Sequence, residues 1–239
     1  MNAFLYGLSL QWKLDIRSKA LLITCYLLPL IFFALVGGIF TAIDPMARYT
    51  IIQSMTILGV SMGALVGLPP LLLETYAIDL KNAYKANGIP LYLGVVTHFL
   101  SALIHLLIMS AIIFAVAPIA FDAVLPLNPL VYFGSLVIFI AATLGIGCIL
   151  GLLVKTNAKL SMVSQVVFMP SIMLSGIMFP MDMLPRVFEY AGKIFPATWA
   201  NRLLTNEIFE VGLMLPLLAI LGVSIVVCCA ALSKKKTQE

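Results

Sequence analysis

Charge is scarce in this chain: Lys and Arg number 14 and Asp and Glu 10 among 239 residues, 10% in all. A soluble domain carries about a quarter charged residues. With 62% of its residues hydrophobic and a mean hydropathy of +1.12, the chain cannot cover itself with polar surface. That excludes a soluble globular protein and leaves lipid as the solvent. The short alternating segments of a membrane β-barrel are missing as well. The apolar runs are long and unbroken, and a run in lipid satisfies its backbone N–H and C=O groups internally only as a helix. Four cysteines (Cys25, Cys148, Cys228, Cys229) all fall inside apolar runs and form no CxxC pair. Neither a disulfide framework nor a zinc site is thereby suggested, and the four are expected as small buried core residues. HExxH, Gly-x-Ser-x-Gly and the Gly-x-x-x-x-Gly-Lys-Ser/Thr phosphate loop are absent too. No catalytic residue, metal ligand or bound cofactor is assigned, and no nucleic-acid partner. No charge sits in mid-span, which weighs against an ion-coupled carrier.

What is present is a series of spans. Residues 2–19 come first, with Phe4, Leu5, Leu8, Trp12 and Ile16 at helical spacing and Asn2, Gln11, Lys13, Asp15 and Arg17 elsewhere on the wheel. This predicts an amphipathic helix lying in the membrane interface with Trp12 as its anchor. Six spans are expected at Leu21–Thr41, Ile51–Leu73, Leu91–Ala117, Leu130–Val154, Leu160–Met181 and Val211–Leu232. The first, at 21 residues, is longer than the apolar core of a signal peptide, about 7–15 residues, and is expected to be retained. The fold class is therefore an all-α integral membrane protein, with residues 1–239 as a single membrane domain. Of the 14 basic residues, ten (Lys13, Arg17, Lys19, Lys81, Lys85, Lys155, Lys159 and Lys234, Lys235, Lys236) would lie on the side of the two termini. Only Arg48, Arg186, Lys193 and Arg202 would lie opposite, so both termini are expected in the cytoplasm of a cell membrane.

Two connecting stretches look structured. Residues 74–88 carry Tyr76, Leu80 and Tyr84 at helical spacing with interleaved charges and stop at Asn87-Gly88, predicting a short cytoplasmic helix. Residues 182–210 place Leu184, Val187, Phe188, Ala191, Ile194 and Phe195 on one face. Too charged for a span, this stretch is expected to dip into the outer leaflet and return. On the third span, His98, Ser101 and His105 share a face: either a proton or substrate contact, or interhelical hydrogen bonding, for no carboxylate is near in sequence. Gly59, Gly63 and Gly67 form a ridge for close helix approach, as a dimer seam or as packing within the subunit. Gly147 and Gly151 repeat the spacing on the fourth span. Uncharged polar residues line the second span (Thr50, Gln53, Ser54, Ser61) and the fifth (Ser161, Ser164, Gln165, Ser171, Ser175), either as a cavity for an amphipathic cargo or as ordinary helix contacts.

Taken in order, these features resemble the permease subunits of type-2 ABC exporters, the ABC-2 type transporter permease family, over nearly the whole length. The most specific part is the sequence Ser175-Gly176, Phe179-Pro180, Leu184-Pro185, then Phe195-Pro196 with Trp199. The resemblance implies a pair of such subunits, as a homodimer or with a sister permease, bound to two cytoplasmic ABC ATPases that hold the ATP and Mg. It implies that residues 74–88 are the coupling helix, with Glu74, Asp79, Lys81, Tyr84 and Lys85 at the ATPase contact and Trp12, Lys13 and Arg17 flanking it. It also implies that Gln53, Ser54, Ser61, Ser164, Gln165 and Ser171 line the translocation path. The outer loops are too short for a large extracellular domain.

Overall fold

A computed structural model describes residues 3–76, 90–178, 185–206 and 210–237. Among these the chain is helical throughout, with no strand. We number the helices α1 (Ala3–Arg17), α2 (Ile23–Ile43, led in by a short turn at Lys19–Leu22), α3 (Ile51–Thr75), α4 (Tyr92–Phe121), α5 (Pro129–Leu153), α6 (Asn157–Met173), α7 (Arg186–Gly192), α8 (Pro196–Thr205) and α9 (Val211–Thr237). The chain is a multi-pass membrane protein: α2, α3, α4, α5 and α9 are each long and apolar enough to cross a bilayer.

Boundaries follow local chemistry. Asn128 caps α5, its Oδ1 accepting from Val131 N at 3.3 Å ahead of Pro129 at the first helical position. Asp44 ends α2 in an extended conformation and accepts from Met46 N at 2.9 Å, starting the 3₁₀ turn Pro45–Tyr49. α4 runs through Pro118 and stops at Asp122, which takes the left-handed conformation at φ 49°. Asp tolerates that region better than most residues.

One expectation fails in length. The fifth span was expected over Leu160–Met181, but α6 is a 17-residue helix, Asn157–Met173. At about 1.5 Å rise per residue it is roughly 26 Å long. Pro170 removes a donor from the last turn. Ser175 Oγ then turns back to Ile172 O at 2.7 Å, and Gly176 sits at φ 85°, where only glycine is unstrained. The chain reverses there into the two short helices, α7 and α8. Thr198 Oγ1 donates to Gly192 O at 2.6 Å, Trp199 Nε1 to Lys193 O at 2.8 Å and Asn201 Nδ2 to Ser175 O at 3.2 Å. α8 is the buried arm of this hairpin, with Ala197, Thr198 and Ala200 fully covered. The apolar residues of α7 face outward instead, Val187 and Phe188 among them, as does Ile194 just past its end.

Two helices contain one π turn each. In α2 it spans Ile23–Leu27, where Leu28 N–H bonds back to Ile23 O; in α3 it spans Gly63–Gly67, where Leu68 N–H bonds to Gly63 O. Each stands one residue before a proline, Pro29 and Pro69. A proline ring clashes with the carbonyl four residues back and offers no donor, so widening the preceding turn relieves both faults. The two wide turns touch one another.

α3 and α5 form the buried centre, while α2 and α9 lie mostly exposed. Inside lipid, apolar burial gives little drive, and close backbone approach through small residues replaces it. Gly147 and Gly151 of α5 supply that approach. A Cβ at Gly147 would run into the backbone oxygen of Ala64, and one at Gly151 would lie 2.8 Å from Pro69 O. The ridge on α3 is filled from within the same chain: Gly59 by Met109 and Pro29, Gly63 by Leu106 and Cys25, Gly67 by Thr24. Cys25, Cys148 and Cys228 are buried, but Cys229 is exposed, a correction to the expectation for all four.

Candidate functional site

The chemistry of the bundle gathers at two places. The first is the end where α1 packs on α4. Here α1 departs from its expected orientation. The face turned inward is Leu8, Gln11, Trp12 and Asp15, and Ile16, placed on the apolar face by periodicity, is 46% exposed. The physical reason is that the polar partners lie inside the bundle while apolar groups can face lipid freely. Asp15 is only 3% exposed. Its Oδ1 accepts from Gln11 Nε2 at 2.7 Å and its Oδ2 from Ser101 Oγ at 2.5 Å.

Ser101 belongs to the face picked out in the sequence. His98, three residues before it, pairs Nε2 with Thr75 Oγ1 at 2.7 Å, tying α4 to the end of α3. His105, four residues after it, pairs Nδ1 with Tyr26 OH at 2.7 Å, tying α4 to α2. Trp12 lies flat on the His105 ring, centroids 4.2 Å apart and 9° between planes. It is thus a stacking partner inside the subunit. The other ring nitrogens, His98 Nδ1 and His105 Nε2, are buried without a hydrogen-bond partner among the described residues. So α1, α2, α3 and α4 meet in one buried polar cluster whose acid is Asp15. No sequence-local signal marks Asp15 as the partner of Ser101, since the pairing is made across 86 residues; its spacing from Gln11 and Trp12 on one face of α1 was the available hint.

The same end carries Glu74, Lys13 and Arg17, three of the residues expected at an ATPase contact. Glu74 is exposed in the last turn of α3, and Lys13 and Arg17 are exposed on α1. Asp79, Lys81, Tyr84 and Lys85 lie outside the described residues, as does most of the 74–88 stretch.

The second place is the contact between α3 and α6. Gln53, Ser54, Ser61, Ser164 and Ser171 are all buried there or along those helices, while Gln165 is exposed. Ser164 and Gln165 are neighbours about 100° apart on the helix, so they cannot share a narrow face. The stripe read on the fifth span is therefore split, with Ser164, Ser171 and Ser175 inward and Ser161 and Gln165 outward. Gln53 Oε1, Ser61 Oγ, Ser164 Oγ and Ser171 Oγ have no hydrogen-bond partner among the described residues. Buried oxygens normally find one. These unpaired oxygens are polar, uncharged groups on two touching helices.

Among the described residues no cluster of His, Cys, Asp and Glu could hold a metal ion. No curated protein matches the chain. The family model for ABC-2 type transporters matches residues 3–209, which takes in α1 to α8, and its members are transmembrane components that normally work with an ATPase partner. On that match, the chain belongs to the ABC-2 type transporter family.

Proposed function

We propose that this chain is the membrane-spanning permease of an ATP-driven exporter that moves an amphipathic or hydrophobic molecule, such as a drug, a peptide toxin or a lipid-like compound, out of the cell. The observation that carries the reading is the set of uncharged, unpaired oxygens on α3 and α6 in a chain of this family. They offer hydrogen bonds to a passing cargo without holding an ion.

In this reading two copies of the chain, or this chain and a sister permease, face one another and bind two cytoplasmic ATPases that hold the ATP and Mg. Both termini are cytoplasmic, so the α1 end is the cytoplasmic end. The stretch from Glu74 to Gly88, with Asp79, Lys81, Tyr84 and Lys85, seats in the ATPase, and Lys13 and Arg17 flank the contact. ATPase closure moves this charged lever, which cannot sink into lipid, and the bundle opens outward. The exposed side of α6, with Gln165, faces the partner subunit across the path.

The test is to extract the tagged chain gently from its host and identify what comes with it, before and after Asp79→Ala and Lys85→Ala. An ATPase that accompanies the native chain, and is lost or uncoupled in the variants, supports the reading. Its absence under every mild extraction sinks it.

A second reading has an observation of its own. Asp15 supplies the carboxylate that a carrier or channel subunit using the His98/His105 face would need. Transport that follows a proton gradient and ignores ATP would favour it.

A further inference from the structure

The end of the bundle opposite α1 encloses a cavity of about 450 Å³, within the range of small-molecule sites. Its walls are the turn leading into α3, the 124–128 loop, the start of α5 and the end of α8. The two loops are fastened to each other: Val124 N donates to Arg48 O at 2.9 Å, and Arg48 faces Asp122 at 3.9 Å outside the lining. The cavity is thus formed by tied backbone.

Four of its polar side chains already have partners. Tyr132 OH donates to Thr56 Oγ1 at 2.9 Å, Asn128 Oδ1 accepts from Val131 N at 3.3 Å, Thr205 Oγ1 donates to Asn201 O at 2.6 Å and Asn206 Nδ2 donates to Glu210 Oε2 at 2.9 Å. Gln53 is the buried polar group left over, beside the exposed Tyr49 and Thr50. It lines the cavity and is 6% exposed, yet its Oε1 has no hydrogen-bond partner among the described residues. Val124, Leu125, Leu127 and Leu204 supply an aliphatic wall, and no lining residue is Lys, Arg, His, Asp or Glu.

We propose that this cavity binds an uncharged amphiphile, an aliphatic body bearing one hydroxyl or amide that pairs with the Gln53 side chain. A charged head would be desolvated with no counter-charge. A pure hydrocarbon would leave Gln53 unpaired. An alcohol or amide on an alkyl chain satisfies both walls. The site shares Gln53 with the proposed path but needs no ATPase, so its test is binding, which can fail or succeed apart from ATP-driven export.

The probe is a diazirine-bearing N-decanoyl ethanolamide, added to the full chain in lipid nanodiscs, photolysed, and mapped by mass spectrometry. Adducts are expected on the peptides containing Val124–Asn128 and Leu204–Asn206. Unlabelled N-decanoyl ethanolamide should compete, and decyl sulfate and decyltrimethylammonium should not. Gln53→Leu should cut this labelling about tenfold while leaving the unfolding midpoint unchanged or raised, because a buried unpaired group is removed. Val124→Trp, which fills the cavity from a loop, should abolish labelling and serves as the readout if Gln53→Leu fails to fold. Labelling that survives both substitutions, that both ionic analogues compete equally, or that maps only to the lipid-facing sides of α2 and α9 overturns the proposal.

Discussion

Ser101 Oγ lies 2.5 Å from Asp15 Oδ2, and this bond joins α1 to α4 in the buried interior of the subunit. A carboxylate buried there depends on its donors, for a buried group left unsatisfied costs about 1–3 kcal/mol. Asp15→Ala and Ser101→Ala should each destabilise the chain by an amount in that range, followed by thermal unfolding in detergent. The double variant should cost clearly less than the sum of the two. Additive losses would show that the two groups do not depend on each other.

The Trp12–His105 stack is the other clasp of α1. Aromatic stacking adds about 0.5–1.5 kcal/mol beyond burial. Trp12→Ala should loosen α1 without unfolding the bundle. Limited trypsin digestion would then cut after Lys13 and Arg17, both exposed, several-fold faster than in the native chain. Unchanged cutting would mean that Asp15 alone holds the helix.

Glycines of α5 and α9 should differ sharply under the same change. Gly147→Ala drives a methyl into the Ala64 carbonyl, a backbone atom that cannot rotate away. Overpacking of this kind costs about 1–3 kcal/mol, sometimes more. Gly212 and Gly222 have nothing within 4 Å of a built Cβ, so Gly212→Ala and Gly222→Ala should be neutral or slightly stabilising. Yield of folded protein and unfolding midpoint report the contrast.

The split on α6 predicts two kinds of variant. Gln165→Trp adds bulk on an exposed face and should change stability by under about 0.5 kcal/mol, yet slow transport several-fold in vesicles if that face borders the path. Ser164→Leu adds bulk where the chain is already packed and should destabilise by about 1–3 kcal/mol. Normal transport by Gln165→Trp would move the path away from the exposed side of α6.

Much of this fold could be read from hydrophobic run length, because lipid permits few alternatives for a long apolar segment. α2, α3, α4, α5 and α9 lie within a few residues of the expected spans. The fifth span was drawn too long because Ile177, Met178 and Met181 continue the apolar run past Ser175-Gly176, and hydropathy does not register a glycine at φ 85°. Asp15 was hidden for another reason. On an isolated helix a carboxylate belongs with the polar face, and only the fold brings Ser101 to it. The separation of Ser164 from Gln165, by contrast, was available from helical geometry alone. The π turns have local causes in Pro29 and Pro69, and a reading at constant period across them places the residues on either side in the wrong phase.

Those turns also change what α2 and α3 are as mechanical parts. A wide turn holds one residue more than its rise requires, so the helix carries slack at that point. Both helices hold their slack at one level and against one another, with Gly67 leaving room for Thr24. Within the wide turn of α2, Tyr26 is fastened to α4, and beyond the wide turn of α3, Thr75 is fastened to α4 as well. Above that level both run as ordinary helices to the far loops. Two prolines thus set a loosely wound stretch of each helix against the other, at the level where Tyr26 joins α2 to α4.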